Sequence, residues 1–383
     1  MRPTSAIVDL AALQANAAEL ARRAAPAGLC AVVKADGYGH GAVATARAAL
    51  AGGATWLAVA LVEEGIELRQ AGVTAPILLL SEPRPTEMVE VVAYDLRPSV
   101  YSATGLAAAA AAATTGDRRL RVHLKVDTGM NRVGAHPDDV ALLASAIEAR
   151  AQLHLEGVWT HCAVADELGN PHTDVQLERY EQVLKALEAD LGAPEPGSFR
   201  RHAANSALLL AAGRPDASPI RRRGRYDMVR AGIALYGLPP SAELRNEVQG
   251  LRPVMQLQTQ VSFVKSVAAG EGVSYGLAYR LDSDSDVATL PIGYADGVRR
   301  DYGLRGGAVL IRGRRRPVVG VVTMDQLMVD CGQESDVSVG DEAVLIGTQG
   351  DQSISAADVA DSLGTIPYEV VCDVGRRVRR HYC

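Results

Sequence analysis

Between about residue 30 and residue 237, eight short apolar runs alternate with segments of helix length. That alternation restricts the chain to a parallel sheet built from βα units. The runs are LCAVVK (29–34), WLAVA (56–60), PILLL (76–80), LRPSV (96–100), VHLKVD (122–127), LEGVWTH (155–161), FRRHAAN (199–205) and MVRAGIALYG (228–237). Eight strands in succession favour closure into a (β/α)8, TIM-like barrel over an open doubly wound sheet. The clearest helix spans 173–191, where Val175, Tyr180, Val183, Leu184, Leu187 and Leu191 recur at three- and four-residue spacing. Thr173 with Gln176 reads as a capping box and Gly192 as the stop. Seven consecutive alanines give 103–114 helix propensity without an amphipathic stripe.

After Pro239-Pro240 the texture changes to short β-rich runs with frequent glycine, among them VATLPIGYADG, AVLIRG, PVVGVV and EAVLIG, which read as a separate mostly β domain. The expected division is 1–240 for the barrel and 241–383 for the β domain. One helical insertion, SAADVADSLG (355–364), interrupts the latter. AIVDL (6–10) reads as a strand before the barrel that could pair into the second domain instead. At 383 residues the chain accommodates a barrel of roughly 250 residues and a smaller companion. DSDSD (282–286) opens like a calcium loop but lacks glycine at the sixth position and an acid at the twelfth, so a surface turn is expected.

A formal net charge of −6 favours neither nucleic acid nor an anionic membrane as partner. The basic runs at 221–225 and 314–316 have no interleaved aromatics and read as solvated loops or local ion pairs. Five cysteines at 30, 162, 331, 372 and 383 form no C-x-x-C pair, which argues against a disulfide framework or a zinc site. No stretch approaches the roughly 20 apolar residues of a membrane span, and the first residues lack a signal-peptide core. The expectation is a cytoplasmic protein without metal.

In a barrel the reactive groups stand at the C-terminal ends of the strands. Lys34 ends the first run, Lys125 and Asp127 the fifth, His161 the sixth and Asn205 with Ser206 the seventh; Arg230 and Tyr236 lie on the eighth. So many titratable and hydrogen-bonding groups at one end point to a single pocket. Lys34 precedes ADGYGHG, whose glycines permit close approach of backbone and ligand. A lysine after a strand is most often simply solvated, yet one whose pKa is lowered can form a Schiff base with a carbonyl cofactor.

AVVKADGYGHG (31–41) resembles the cofactor-lysine segment of the alanine racemases, barrel-type enzymes that use pyridoxal 5'-phosphate (PLP). HLKVDTGMNRVG (123–134), THCAVAD (160–166), HAANSA (202–207), VRAGIALYG (229–237), VSYG (273–276), PIGYADG (291–297), VTMDQLMVD (322–330) and IPYEVVC (366–372) resemble further family motifs in the family's order. The resemblance covers nearly the whole chain. It implies a PLP-dependent isomerase that interconverts L- and D-alanine by two-base proton transfer and supplies D-alanine for bacterial peptidoglycan. Lys34 would carry the cofactor and act on the D-face, Tyr275 on the L-face. A tyrosine has a reference pKa near 10, so ionising it at pH 7 costs about 4 kcal/mol without help. The resemblance supplies help in His161, bonded to that oxygen and linked onward to Arg230.

Arg230 would face the pyridine nitrogen. A protonated ring about 3 Å away would be repelled by roughly 5 kcal/mol at an effective dielectric near 20, so the ring should stay neutral. Phosphate binding would fall to Tyr38, Ser206, the backbone N–H groups of Gly232 and Ile233, and Tyr368. Taken alone, Ser206 could equally be a helix N-cap, and Tyr38 and Tyr368 core aromatics. Arg132 would hold the cofactor's phenolic oxygen and lie near the substrate carboxylate; Lys125, carboxylated to a carbamate, would hold Arg132. A salt bridge from Lys125 to Asp127 is the plain alternative. Tyr294, Met324 and Asp325 would join Tyr275 from a partner subunit, making the active unit a homodimer with composite sites.

A broad-specificity amino-acid racemase on the same plan, a barrel-type decarboxylase and a non-catalytic PLP carrier are the competing readings. Cys331 and Cys372 lack the motif expected of a decarboxylase's catalytic cysteine. A carrier would not need the β domain's VSYG and TMDQ segments.

Overall fold

The computed structural model describes residues 2–191 and 199–383. A first strand, β1 (Ser5–Val8), precedes eight parallel strands: β2 (Gly28–Val32), β3 (Trp56–Val59), β4 (Ile77–Leu79), β5 (Arg97–Val100), β6 (Leu120–Lys125), β7 (Leu153–Trp159), β8 (Arg200–His202) and β9 (Met228–Ala231). Each pairs with the next from β2 to β8, and β9 returns to β2, setting Cys30 beside Arg230. The last seam, between β8 and β9, closes by a bridge of Asn205 with Arg230 and by Asp227 N–H to Arg201 O at 3.0 Å. Both faces of these strands are covered, so their runs are continuously apolar rather than alternating.

The sequence expectations fail locally where glycine or proline intervenes. The eighth run stops at Ala231, and Ile233–Tyr236 winds into a 3-10 turn between Gly232 and Gly237. Gly237 has φ of 73°, and a Cβ there would lie 2.0 Å from Arg252 O, so no other residue fits that exit. The predicted capping box is absent. The helix His172–Leu191 begins behind Pro171, and Gln176 instead donates to His161 O and accepts from Ala163 N–H. Gly192 lies outside the described residues. The alanine-rich segment does form a helix, Ala103–Thr115, capped by the Ser102 hydroxyl accepting from Gly105 N–H.

The second region contains β10 (Met255–Gln260), β11 (Phe263–Val267), β12 (Gly272–Val273), β13 (Tyr279–Arg280), β14 (Ser285–Leu290), β15 (Ala308–Ile311), β16 (Arg314–Val319), β17 (Leu327–Asp330), β18 (Glu342–Gln349), β19 (Gln352–Ile354) and β20 (Arg379–Tyr382). Its main sheet runs β11-β14-β17-β16-β15-β18-β10-β1-β20. Thus β1 joins this sheet, antiparallel to β10 and parallel to β20, and straps the start of the chain to its end. The insertion forms the helix Ala356–Leu363, capped by Ser355. Among the described residues no helix is long and apolar enough to cross a membrane.

Arg2 completes the strap. Its NH1 donates to the buried Asp296 carboxylate at 2.6 Å, and its Nε donates to Pro291 O at 2.9 Å. Burial alone would raise the Asp296 pKa, but bonds from Arg2 and Gly293 N–H outweigh it and hold the carboxyl below its usual range. A depressed pKa stabilises the fold above the unfolded value near 4, and the gain is lost as pH falls through the folded value. Asp296→Asn should therefore lower stability by about 2 kcal/mol at pH 7, with the deficit shrinking towards pH 3. Urea unfolding at both pH values checks this; an equal deficit at each would contradict the linkage.

Candidate active site

The chain leaves β2 into a tight turn of unusual hand. Ala35, Asp36, Gly37, Tyr38 and Gly39 have φ of 51°, 52°, 60°, 53° and 77°, so Lys34 stands at the head of a left-handed turn. L-residues there cost roughly 1–2 kcal/mol each, and the surroundings offset it. Gly37 N–H donates to Val33 O, Gly39 N–H to Ala35 O and Gly41 N–H to Asp36 O. The Asp36 carboxylate accepts from Ala42 N–H at 2.8 Å, and Glu64 accepts from Ala35 N–H at 2.6 Å. Gly39 is required by space as well, because a Cβ would lie 2.3 Å from Val371 O. The turn aims Lys34 and Tyr38 into one cavity of about 580 Å³ at the C-terminal end of the barrel strands.

Eleven of the residues singled out by sequence meet there: Lys34, Tyr38, Lys125, Arg132, His161, Asn205, Ser206, Arg230, Gly232, Ile233 and Tyr368. Tyr38 is buried between Tyr236 and Tyr368, with ring centroids 5.0 and 6.0 Å away. A Cβ on Gly232 would lie 2.4 Å from the Tyr38 hydroxyl, so glycine opens a cradle at that oxygen. The Ser206 hydroxyl accepts from Gly232 N–H at 2.9 Å and from Ala234 N–H at 3.3 Å, which turns its own proton elsewhere. The N-cap of the helix Ser206–Ala212 is Asn205, leaving Ser206 free of that duty.

Arg230, only 3% exposed, forms the floor. It bonds His202 Nδ1 at 2.8 Å, Thr160 O at 2.8 Å, Ala203 O at 3.0 Å and His161 Nδ1 at 3.3 Å, and its guanidinium lies 4.5 Å from the Trp159 ring centre. Burial lowers its pKa to about 10, which leaves it a cation at pH 7. A guanidinium only donates, so both imidazoles present Nδ1 as a lone pair and carry their protons on Nε2. Burial and the Arg230 charge hold His161 well below its ordinary pKa, so it is neutral.

Lys125 is buried over Trp159, 4.3 Å from the ring centre, and burial with Arg132 and Arg230 nearby lowers its pKa to about 7. The alternative partner is engaged elsewhere: Asp127 Oδ1 accepts from Gly129, Met130 and Asn131 N–H, and among the described residues no ion pair joins it to Lys125.

Tyr275, Tyr294, Met324 and Asp325 do not reach the cavity of their own chain. Tyr275 is 71% exposed, Met324 53% and Tyr294 43%, while Asp325 pairs with Arg377 at 2.6 Å. Trp159 and His202, which floor the site, were not singled out by the sequence, and Cys372, set aside there as a catalytic cysteine, lines the cavity. His202 opens the motif HAANSA and was legible by its place at a strand end; nothing in the sequence marks Trp159.

Residues 8–240 match the alanine racemase N-terminal domain family, and residues 254–382 match the C-terminal domain family. The alanine racemase of Symbiobacterium thermophilum is 47% identical over 382 residues, covering 100% of this chain and 97% of its own length; that of Thermobifida fusca is 45% identical, covering 98% and 96%. The crystal structure of alanine racemase from Streptomyces lavendulae superposes with a TM-score of 0.91 at 39% identity, covering 100% of this chain and 97% of that one. The Bacillus anthracis alanine racemase structure with bound L-Ala-P gives 0.88 at 36%, covering 100% and 95%.

The buried setting of Lys125 has a direct consequence. In the cofactor-free protein, competitive acetylation followed by mass spectrometry across pH should show this amine losing its proton near pH 7. Titration near 10, the value of an ordinary lysine, would contradict the geometry.

Proposed function

The chain belongs to the alanine racemase family, and on that premise we propose that this cavity binds PLP and works with a second copy of the chain to interconvert L- and D-alanine. The observation that carries the reading is the convergence of Lys34, Tyr38, Ser206, Arg230, Gly232 and Tyr368 on one cavity. The donor set suits the cofactor. Gly232 leaves space beside the Tyr38 hydroxyl, and the Ser206 proton is turned away from the backbone it accepts from. With Tyr368 and the Ile233 N–H these form an anion cradle for the phosphate. Arg230 has only neutral acceptors among the bonds described, and these use one of the two hydrogens on the nitrogen facing His202. It can donate to a ring nitrogen, and its permanent charge keeps that nitrogen unprotonated.

When bound, PLP withdraws electrons from the substrate's α-carbon and so acidifies the C–H bond. The chain's own groups then move the proton: the Lys34 amine on the D-face and the partner subunit's Tyr275 on the L-face. His161 assists the tyrosine by donating Nε2–H to its oxygen, with the Arg230 cation behind it favouring the phenolate. Arg132 and the partner subunit's Met324 N–H orient the substrate carboxylate, and the partner subunit's Tyr294 and Asp325 close the entrance. Lys125, with its lowered pKa, is suited to carbamate formation and to holding Arg132. The cytoplasm as compartment, in keeping with five free cysteines, and peptidoglycan as the fate of D-alanine belong to the same proposal.

Loss of optical rotation from L-alanine measures the activity. Borohydride reduction of the loaded protein should fix the cofactor on Lys34, and mapping it to another lysine would remove the assignment. Lys34→Ala and Tyr275→Phe dimers, each nearly inactive, test the composite site after subunit exchange. Random reassortment makes half the dimers mixed, each with one intact site, so activity should recover to about a quarter of wild type. No recovery despite exchange verified by mass would mean that both bases come from one chain.

A further inference from the structure

Beneath the floor of the cavity a line of buried groups runs from Arg230 to an ion pair near the opposite end of the barrel. His202 Nδ1 takes a hydrogen from Arg230 at 2.8 Å, and His202 Nε2 lies 2.9 Å from His123 Nδ1. The other nitrogen of His123 lies 3.6 Å from Glu156 Oε2. Glu156 is itself 3.0 Å from Arg97 Nε and 3.6 Å from Arg121. Both imidazoles are fully buried.

We propose that Glu156 is a positioning residue for Arg230, acting through the proton placement of His123 and His202. Direction is what the line transmits. Arg230 can only donate, so His202 Nδ1 is a lone pair and its Nε2–H donates to His123 Nδ1. His123 must then carry its proton on Nε2. Three charged groups act on His123, the Glu156 carboxylate and the Arg97 and Arg200 guanidiniums, and only the carboxylate can receive that hydrogen. At 3.6 Å the contact is an ion–dipole attraction rather than a hydrogen bond. It suffices to make one order of tautomers the favoured one in a buried setting where charges are weakly screened. In the reverse order a His202 N–H would confront an Arg230 N–H, and the shortest side-chain bond that orients Arg230 would be lost. Burial keeps both histidines below their ordinary pKa, so they relay as neutral rings.

The inference rests on the racemase reading, so wild-type turnover of L-alanine is measured first; its absence would defeat that reading, not this one. Glu156→Gln keeps the shape but can donate as well as accept, so the far end of the line no longer opposes the reverse order and Arg230 alone favours the native one. In ¹⁵N-histidine-labelled protein, with and without PLP, solid-state NMR should show the wild-type His202 protonated on Nε2 alone and the variant as a mixture of tautomers. Its kcat should fall about tenfold with KM within about twofold, since weakening one bond to a charged group is worth about that factor. Asp95→Asn, which breaks the neighbouring pair with Arg97 (2.7 Å), should change neither. If Glu156→Gln does not fold, His123 reads the same line: His123→Gln, able to accept from His202 and donate to Glu156, should retain activity, and His123→Leu should lose it about tenfold. A wild-type tautomer or a wild-type kcat in Glu156→Gln, or equal activity of the two His123 variants, overturns the proposal.

Discussion

A guanidinium sealed under the mouth of the barrel, with no carboxylate against it among the described residues, is the constraint on which the rest of the site depends. Arg230 is satisfied by carbonyls of Thr160 and Ala203 and by two imidazoles, all neutral, and rests on the face of Trp159. An uncompensated buried charge is costly unless every hydrogen finds an acceptor or a ligand. The acceptors come from the ends of β7 and β8, and Arg230 itself from β9. Closing the barrel at that seam is therefore also what solvates the cation. Burial, with this charge beside it, keeps His161 and His202 neutral and depresses the amine of Lys125, and the guanidinium favours the tautomers in which both imidazoles offer it Nδ1.

The left-handed turn after β2 is the second device. Five consecutive residues with positive φ are held by backbone bonds within the turn, by Asp36 and Glu64 from the side, and by a close approach to Val371 that only Gly39 permits. Val371 belongs to the helix Pro367–Cys372, which also carries Tyr368. Arg380, in β20, donates to Gly39 O at 3.0 Å, so the second region braces the turn of the first. Strain stored here is repaid by packing from a segment more than 300 residues away.

Seen within one chain, the site is open on one side. Tyr275 and Met324 are exposed rather than packed, although the backbone that presents Tyr275 is firmly held. Ser274, at φ of 67°, donates to Val321 O at 2.6 Å, and Gly276 follows at φ of 75°. A rigid turn displaying a bare aromatic side chain suits contact with another surface more than it suits solvent.

Much of this was legible in the residues. Eight apolar runs spaced by helix-length segments point to a closed parallel barrel, because eight successive βα units match its strand count, whereas burial of both faces alone would also suit an open doubly wound sheet. Polar residues at the run ends determine one cavity, because parallel strands all deliver their C-terminal ends to the same rim. Motif order supplied the family, and it singled out Lys34 and Arg230, which the barrel brings to one cavity. The sequence misjudged what depends on local alternatives of similar energy: Gln176 had better partners in a neighbouring loop than in its own helix cap, and the eighth run gave way at Gly232. It was silent on Trp159 under two cations and on the line from Arg230 through His202 and His123 to Glu156. Those contacts join residues 28 to 79 positions apart, and no periodicity records them. Tertiary structure decided them because proton placement and cation solvation depend on which atoms the closed barrel brings within about 3 Å, a distance that spacing along a chain does not encode.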